Sequence, residues 1–306
     1  MTPSATILFF GNERLASGLG TTAPALRGLI DAGYKVAAVV IAQHAIGKSR
    51  KSRAIEVVDI ATSHGIPVLS PSHLAGARDE LKSYGATAAV LAAYGKIIPQ
   101  SVLDIFPAGI INIHPSLLPL HRGSTPIESA LLQGDSTTGV SLMRLTPVMD
   151  AGPLYAQETV DIDGMESKQQ LYDRLNQLGA ELLLNKLPSV LDGTLRPSPQ
   201  DEQRATYDQQ LSKADSWLNW QQPAELLARQ IRAYAVWPRS RCTIGTQTVL
   251  VTAAHAATGS GVPGALYLSG TQLGMHTTEG VLVIDRLIPL GKREMSAQDF
   301  LLGYRP

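Results

Sequence analysis

An amide and an imidazole stand two residues apart in the run GIINIHPSLLPLHRG, which occupies positions 109–123. Alternate residues of a strand point to the same face, so Asn112 and His114 are expected to lie side by side. Such a pair can hydrogen-bond a carbonyl oxygen and shuttle a proton. Taken alone, an Asn-x-His pair more often makes local hydrogen bonds than catalyses a reaction, so further residues must decide.

The surrounding residues predict how this pair is positioned. Ile110, Ile111 and Ile113 indicate a buried strand, and Pro115 favours an extended conformation for His114 and ends the run. A later turn, residues 147–152, presents Asp150. Open α/β sheets bind ligands at the carboxyl ends of their strands, which is where this pair would stand.

Buried apolar runs alternate with helical patterns through the first half of the chain. This alternation predicts an α/β fold with a doubly wound, mostly parallel, Rossmann-like sheet. The predicted strands of that sheet include 5–10, 35–41, 87–93 and 109–114.

The sequence pattern changes in the second half of the chain. Residues 196–211 are rich in Pro, Gln, Asp and Ser, which predicts a linker between domain 1–195 and domain 212–306. Short glycine-punctuated runs then predict a small β-barrel of the OB type. The predicted elements are a helix at 223–235 and strands at 241–244, 248–253, 265–268, 273–276 and 281–287.

Composition limits the function classes. The chain has 306 residues, 44% of them hydrophobic, and a formal net charge of zero, so nucleic acid must be bound through local patches. A single cysteine, Cys242, excludes an intramolecular disulfide and a cysteine-rich zinc site and suits a reducing cytoplasm. The first residues lack a basic region before a long apolar run, so we expect no signal peptide and a cytoplasmic location.

Two groups of basic residues could bind phosphates. The segment 47–53 contains four cationic residues, and a second group includes two arginines one turn apart on the predicted helix 223–235. A solvated charge run is the more common explanation of a segment like the first group, and ordinary surface arginines explain the second group equally well. The residues concerned are Lys48, Arg50, Lys51 and Arg53, then Arg229 and Arg232 with Arg239 and Arg241.

The run 112–123, with Asp150-Ala151-Gly152, resembles the N-x-H-x-S-L-L-P-x-x-R-G … D-x-G signature of formyltransferases that use 10-formyltetrahydrofolate. The segment AYGKIIP at 93–99 is similar to one that flanks the folate pocket in those enzymes. The basic segment 47–53 and the C-terminal half, including GKREMSAQDF at 291–300, resemble the methionyl-tRNA formyltransferases within that group. The resemblance covers nearly the whole chain; Leu120 departs from it, where a polar residue is common.

The resemblance implies transfer of a formyl group from 10-formyltetrahydrofolate to the α-amine of initiator methionyl-tRNA, for translation initiation. Asn112 would donate to the developing oxyanion, His114 would shuttle protons, and Asp150 would hold and charge-stabilise His114. No metal is required, and we expect a monomer. The implied folate-binding residues are Ser116, Leu117, Leu118, Pro119, Tyr94 and Gly95, and the implied tRNA-binding residues are Lys48, Arg50, Lys51, Arg53, Arg229 and Arg232.

Two alternatives stay open at this point. The acceptor could be a nucleotide-linked amino sugar, and an RNA-binding module with an inactive α/β domain would keep the basic patches without needing Asn112, His114 and Asp150 together. The role of Arg122 is also open, because its guanidinium could bind a carboxylate or phosphate of a ligand, or form an ion pair that anchors the loop.

Overall fold

The computed structural model describes residues 5–11, 23–42 and 56–304. Lys48, Arg50, Lys51 and Arg53, which the sequence assigns to tRNA binding, lie outside the described residues. The chain divides into two compact units. The first unit comprises 1–126, 137–161 and 171–209, and the second comprises 127–136, 162–170 and 210–306, each as far as it is described.

The strands, in chain order, are β1 Thr6–Gly11, β2 Lys35–Val40, β3 Val68–Leu69, β4 Ala88–Ala92, β5 Ile110–His114, β6 Arg122–Gly123, β7 Thr137–Arg144, β8 Leu154–Asp161, β9 Tyr207–Asp208, β10 Arg241–Ile244, β11 Gln247–Ala257, β12 Leu266–Ser269, β13 Gln272–His276, β14 Val281–Pro289 and β15 Met295–Ser296. The α-helices are α1 Pro24–Asp31, α2 Glu56–Ser63, α3 Arg78–Ser83, α4 Gln100–Leu103, α5 Pro126–Gln133, α6 Lys168–Leu191, α7 Ala224–Ala233 and α8 Ala297–Gly303.

The first unit is built on a seven-stranded sheet with the order β3-β2-β1-β4-β5-β7-β8. The pairs from β3 to β5 are parallel, whereas β7 and β8 add antiparallel strands at one edge. Both faces are covered, since Ile7 and Phe9 enter one apolar cluster while Leu8 and Phe10 enter another. Burial on both faces explains why β1 is a continuous apolar run rather than an alternating one, and it confirms the predicted doubly wound fold.

The helix α6 covers the sheet close to β5. At Gly179 a Cβ atom would collide with Ile113 of β5, so only glycine allows the helix backbone to approach this strand so closely. This contact presses on Ile113, whose side chain points away from the face that carries its neighbours Asn112 and His114. The packing of α6 therefore supports the strand that carries the predicted catalytic pair.

The second unit contains an antiparallel sheet with the order β10-β11-β14-β13-β12, and β15 also pairs with β14. The helix α7 buries Leu227 and Ile231 in one core with strand residues such as Val249 and Ile284. The predicted five-stranded, OB-like arrangement is confirmed. So is the predicted start of α8, where the Ser296 hydroxyl accepts the N–H of Asp299 at 3.1 Å.

The stretch 196–211 differs from the predicted linker. As far as residue 209 it belongs to the first unit, where β9 pairs in parallel with β6 and Ser198 forms a bridge with Leu154. Its composition correctly indicates irregular backbone, but hydrogen bonds to residues far away in sequence hold that backbone in place. The division of the chain also differs from 1–195 and 212–306, because 127–136 and 162–170 join the second unit.

Among the described residues, no helix is both long and apolar enough to cross a membrane. Over the same ranges there is no group of three or more His, Cys, Asp or Glu side chains that could hold a metal ion.

Candidate active site

The predicted catalytic pair lies near the middle of the first sheet. Asn112 pairs with Leu91 of β4 on one side and with Met143 of β7 on the other, and His114 ends the strand opposite Ser141. Both polar side chains are buried, at 5% exposure each. The two-residue spacing places them on one face of β5, as predicted, at the carboxyl end of the parallel strands.

Hydrogen bonding determines which nitrogen of His114 carries a proton. Its Nε2 lies 3.0 Å from the backbone carbonyl oxygen of His121. A carbonyl can only accept, so Nε2 is the donor and the neutral ring has its lone pair on Nδ1. That Nδ1 faces Oδ2 of Asp150 at 3.8 Å. The ring is therefore held with its basic nitrogen beside a carboxylate, which suits it to accept a proton and then be stabilised as a cation.

Asp150 is brought to His114 by a turn between β7 and β8. The turn places Asp150 at φ 50°, and its Oδ2 accepts the N–H of Gly123 at 2.9 Å. Two residues on, a Cβ atom at Gly152 would overlap the carbonyl oxygen of Arg144, so this position requires glycine. The Asp-Ala-Gly run thus has a steric reason for its glycine and a hydrogen-bonded place for its carboxylate.

The predicted folate loop, residues 116–119, is fixed by side chains that the sequence analysis missed. The Ser141 hydroxyl donates to the carbonyl of Ser116 at 2.7 Å and accepts the N–H of Leu118 at 3.0 Å. The amide of Gln157 donates to the carbonyl of Leu118 and to the Ser141 hydroxyl, each at 2.8 Å. A serine in the middle of the otherwise apolar run Val140–Met143 was the available signal for Ser141.

Tyr94 does not offer its ring to a ligand. The ring is 1% exposed and packs edge-to-face against Phe10 with centroids 5.4 Å apart. Burial raises the pKa of the Tyr94 hydroxyl to about 12. A folate contact at this position must therefore come from the backbone, which turns sharply here, with φ 53° at Ala93 and 73° at Gly95.

The structure decides between the two interpretations of Arg122. Its side chain is fully buried, and its guanidinium donates twice to the Glu202 carboxylate, at 2.6 and 2.9 Å, and twice to Oε1 of Gln200, at 2.9 and 3.2 Å. The last N–H reaches the hydroxyl of Tyr207 at 2.7 Å. These bonds use all five donors of an arginine, so Arg122 anchors the loop. The bond to Glu202 raises the pKa of Arg122 and lowers that of Glu202.

In the second unit, two of the predicted tRNA-binding arginines lie one turn apart on α7. Nη1 of Arg229 donates to the carbonyl of Gln133, at the end of α5, at 2.7 Å. Desolvation lowers the pKa of Arg232, and the charge of Arg229 lowers it further while Glu225 and Asp163 oppose the shift. The buried Nε atoms of both arginines lack a partner among the described residues. Their binding of tRNA stays a prediction.

The family model described as formyl transferase matches residues 17–187, and the model of its C-terminal domain matches residues 210–305. A methionyl-tRNA formyltransferase of Nitrosococcus oceani is 38% identical, across 96% of this chain and 92% of its own length. That of Halorhodospira halophila is 37% identical, across 99% and 97%. The chain belongs to the methionyl-tRNA formyltransferase family.

Among solved structures, an N-formyltransferase of Helicobacter canadensis in complex with folinic acid and dTDP-3-aminofucose is similar in fold. It superposes with a TM-score of 0.68 across 94% of this chain and 99% of that one, at 15% identity. The structure brings together an amide on β5, an imidazole bonded through Nε2 and a carboxylate facing that imidazole. The roles of these three groups in formyl transfer stay a prediction.

Proposed function

We propose that the protein transfers the formyl group of 10-formyltetrahydrofolate to the α-amine of initiator methionyl-tRNA, giving N-formylmethionyl-tRNA for translation initiation. The observation that carries this proposal is the orientation of His114, whose Nε2–H is bonded to the His121 carbonyl and whose Nδ1 faces Asp150. Family membership supplies the donor and the acceptor, and this geometry supplies the means of transferring the group.

Asn112, His114 and Asp150 each have a separate part in the transfer. The neutral α-amine attacks the formyl carbon, a C–N bond forms, and the carbonyl π electrons move onto oxygen. The amide of Asn112 donates to that oxyanion, a contribution of about 10²–10³-fold. Nδ1 of His114 takes the proton that the amine loses, while Asp150 stabilises the imidazolium. When the bond from carbon to the folate N10 breaks, the same proton goes to N10, so no covalent enzyme intermediate forms.

The donor is 10-formyltetrahydrofolate, and we assign its binding to the loop 116–119 together with the backbone at Tyr94 and Gly95. Ser116 is fully buried and donates to the carbonyl of Leu120 at 2.7 Å, so the loop is shaped before any ligand arrives. A loop that is already ordered loses little conformational entropy when it binds a pterin ring. Leu117, Leu118 and Pro119 complete the proposed contact surface.

We assign recognition of tRNA to the basic segment 47–53 and to Arg229 and Arg232, because tRNA is bound mainly through its phosphates. A protein that uses methionyl-tRNA works where translation occurs, which supports a cytoplasmic location. We propose that it acts as a monomer, since one chain supplies Asn112, His114 and Asp150.

The experiment is a formylation assay with 10-formyltetrahydrofolate and two acceptors, charged initiator tRNA and a dTDP-linked amino sugar. We expect formylation of methionyl-tRNA by the wild type and its loss in His114→Ala, with circular dichroism confirming that the variant is folded. Formylation of the amino sugar alone would overturn the proposed acceptor. A fully active His114→Ala variant would overturn the mechanism while leaving the acceptor in place.

A further inference from the structure

Gln200 connects the buried arginine of the site to the turn that carries Asp150. Its side chain is nearly buried, at 9% exposure for the residue. Nε2 donates to the carbonyl oxygens of Asp150 and Gly152, at 2.8 and 2.7 Å. Oε1 accepts two N–H groups of Arg122, at 2.9 and 3.2 Å. Both ends of the amide are therefore fully used.

The chemistry of these partners fixes the orientation of the amide. A guanidinium only donates, so Arg122 must face Oε1, and two backbone carbonyls only accept, so they must face Nε2. Arg122 is itself held by Glu202, at 2.6 and 2.9 Å. The Arg122 guanidinium, paired with Glu202, thus holds one end of Gln200, while the other end holds two carbonyls of a single turn.

That turn needs support, because Asp150 has φ 50°, a conformation that residues other than glycine rarely adopt. The Gly123 N–H holds its carboxylate, and Gln200 holds its backbone on both sides of Ala151. The distance from Nδ1 of His114 to Oδ2 of Asp150 is 3.8 Å, too long for a hydrogen bond but short enough for the two charges to interact. A small displacement of the turn would therefore change how well Asp150 stabilises the imidazolium.

We infer that Gln200 is a positioning residue for formyl transfer, acting through the backbone of Asp150 and Gly152. It touches neither substrate nor the reacting atoms, and the inference rests on the proposed function. The residue lies in the stretch that the sequence assigns to a linker, so the inference gives this stretch a part in catalysis.

The test is Gln200→Glu in the full-length protein. The carboxylate keeps the length of the side chain and still accepts from Arg122, but it replaces the Nε2 donor with an oxygen that faces two carbonyl oxygens. The matched control is Gln203→Glu, which makes the same change of charge three residues later on an exposed side chain. We expect kcat for Gln200→Glu to fall about 10- to 100-fold, as for a small misplacement of a catalytic group, with KM values for both substrates close to those of the wild type. The melting temperature should fall, because two buried carbonyls lose their donor, but the variant should remain folded at the assay temperature.

A kcat for Gln200→Glu equal to that of the wild type, or an equal loss in Gln203→Glu, would overturn the inference, as would a loss confined to KM. If Gln200→Glu does not fold, Gln200→Met, which has a similar volume and no donor, is judged by the same criteria. The wild type is assayed alongside: failure to formylate methionyl-tRNA would overturn the proposed function, whereas an active wild type with an equally active Gln200 variant overturns only this inference.

Discussion

The two units satisfy the donors of their arginine side chains differently. In the first unit Arg122 is fully buried and each of its N–H groups has an acceptor, from Gln200, Glu202 or Tyr207. In the second unit the Nε atoms of Arg229 and Arg232 are buried without an acceptor among the described residues. Among the described residues, arginine therefore forms a complete network at Arg122 and leaves a buried Nε donor unused at Arg229, Arg232 and Arg241.

The difference indicates what each region can do. A buried donor without an acceptor costs about 1–3 kcal/mol, whereas a complete network avoids that cost and holds one geometry. The first unit uses its buried polar groups to hold the loop and the turn of the active site. In the second unit Arg229 and Arg232 are only partly buried, so their guanidinium groups are less enclosed than that of Arg122, which supports the proposal that they contact tRNA phosphates.

The largest effect is expected at the catalytic end of the complete network. Asp150→Asn keeps an oxygen that can accept the Gly123 N–H but removes the charge that stabilises the His114 cation. We expect kcat for formylation to fall about 10²–10⁴-fold with little change in KM for methionyl-tRNA. Asp201→Asn, at an exposed neighbour of the network, is the control. Equal activities of the two variants would remove Asp150 from the mechanism.

Next in size is the effect of Arg122→Lys on folding. Lysine keeps the charge but has three donors on a flexible stem, so it cannot serve Gln200, Glu202 and Tyr207 together. We expect the free energy of unfolding in urea to fall by about 1–3 kcal/mol, the cost of unsatisfied buried polar groups. Arg204→Lys, on an exposed side chain nearby, should leave it unchanged. Equal stability of both variants would show that the network contributes nothing to folding.

A smaller effect is expected for Arg232→Gln in the second unit. If its guanidinium meets a phosphate, KM for tRNA should rise and the slope of log affinity against log salt should decrease by about 0.9, with kcat unchanged. The control is Arg286→Gln, because Nη2 of Arg286 already pairs with Glu294 at 3.0 Å. An unaltered salt slope in Arg232→Gln would exclude this arginine from the tRNA contact.

The smallest expected effect is the contribution of Glu202 to the pH dependence of stability. Its carboxylate is 65% exposed, so water partly screens its charge. Its hydrogen bond from Arg122 lowers its pKa below the ordinary 4.5. A lowered carboxyl pKa stabilises the folded state above the ordinary value, and this contribution is lost as pH falls through the folded value. The unfolding free energies of the wild type and Glu202→Gln should therefore converge in acid, and parallel pH curves would contradict this.

Much of the fold can be predicted from the sequence, because the patterns that indicate it involve residues close together in the chain. Alternation between buried runs and helical patterns predicted the doubly wound sheet, and glycine-punctuated strands predicted the OB-like sheet. The spacing of Asn112 and His114 was enough to place both on one face of a strand. Ser296 and Asp299 predicted the start of α8 from a spacing of three residues.

The remaining features required the tertiary structure. Nothing near Arg122 in sequence reveals that its partner Glu202 lies 80 residues away, or that Gln200 reaches back 50 residues to Asp150. The tautomer of His114 likewise depends on the backbone carbonyl of His121, which the loop after β5 places beside the ring. Whether a segment can form an amphipathic helix or strand depends on the spacing of residues close together in the chain, so the sequence alone reveals it. Whether a buried donor finds an acceptor depends on which distant segment the whole fold places beside it, so a composition typical of a linker could not reveal a support for the active site.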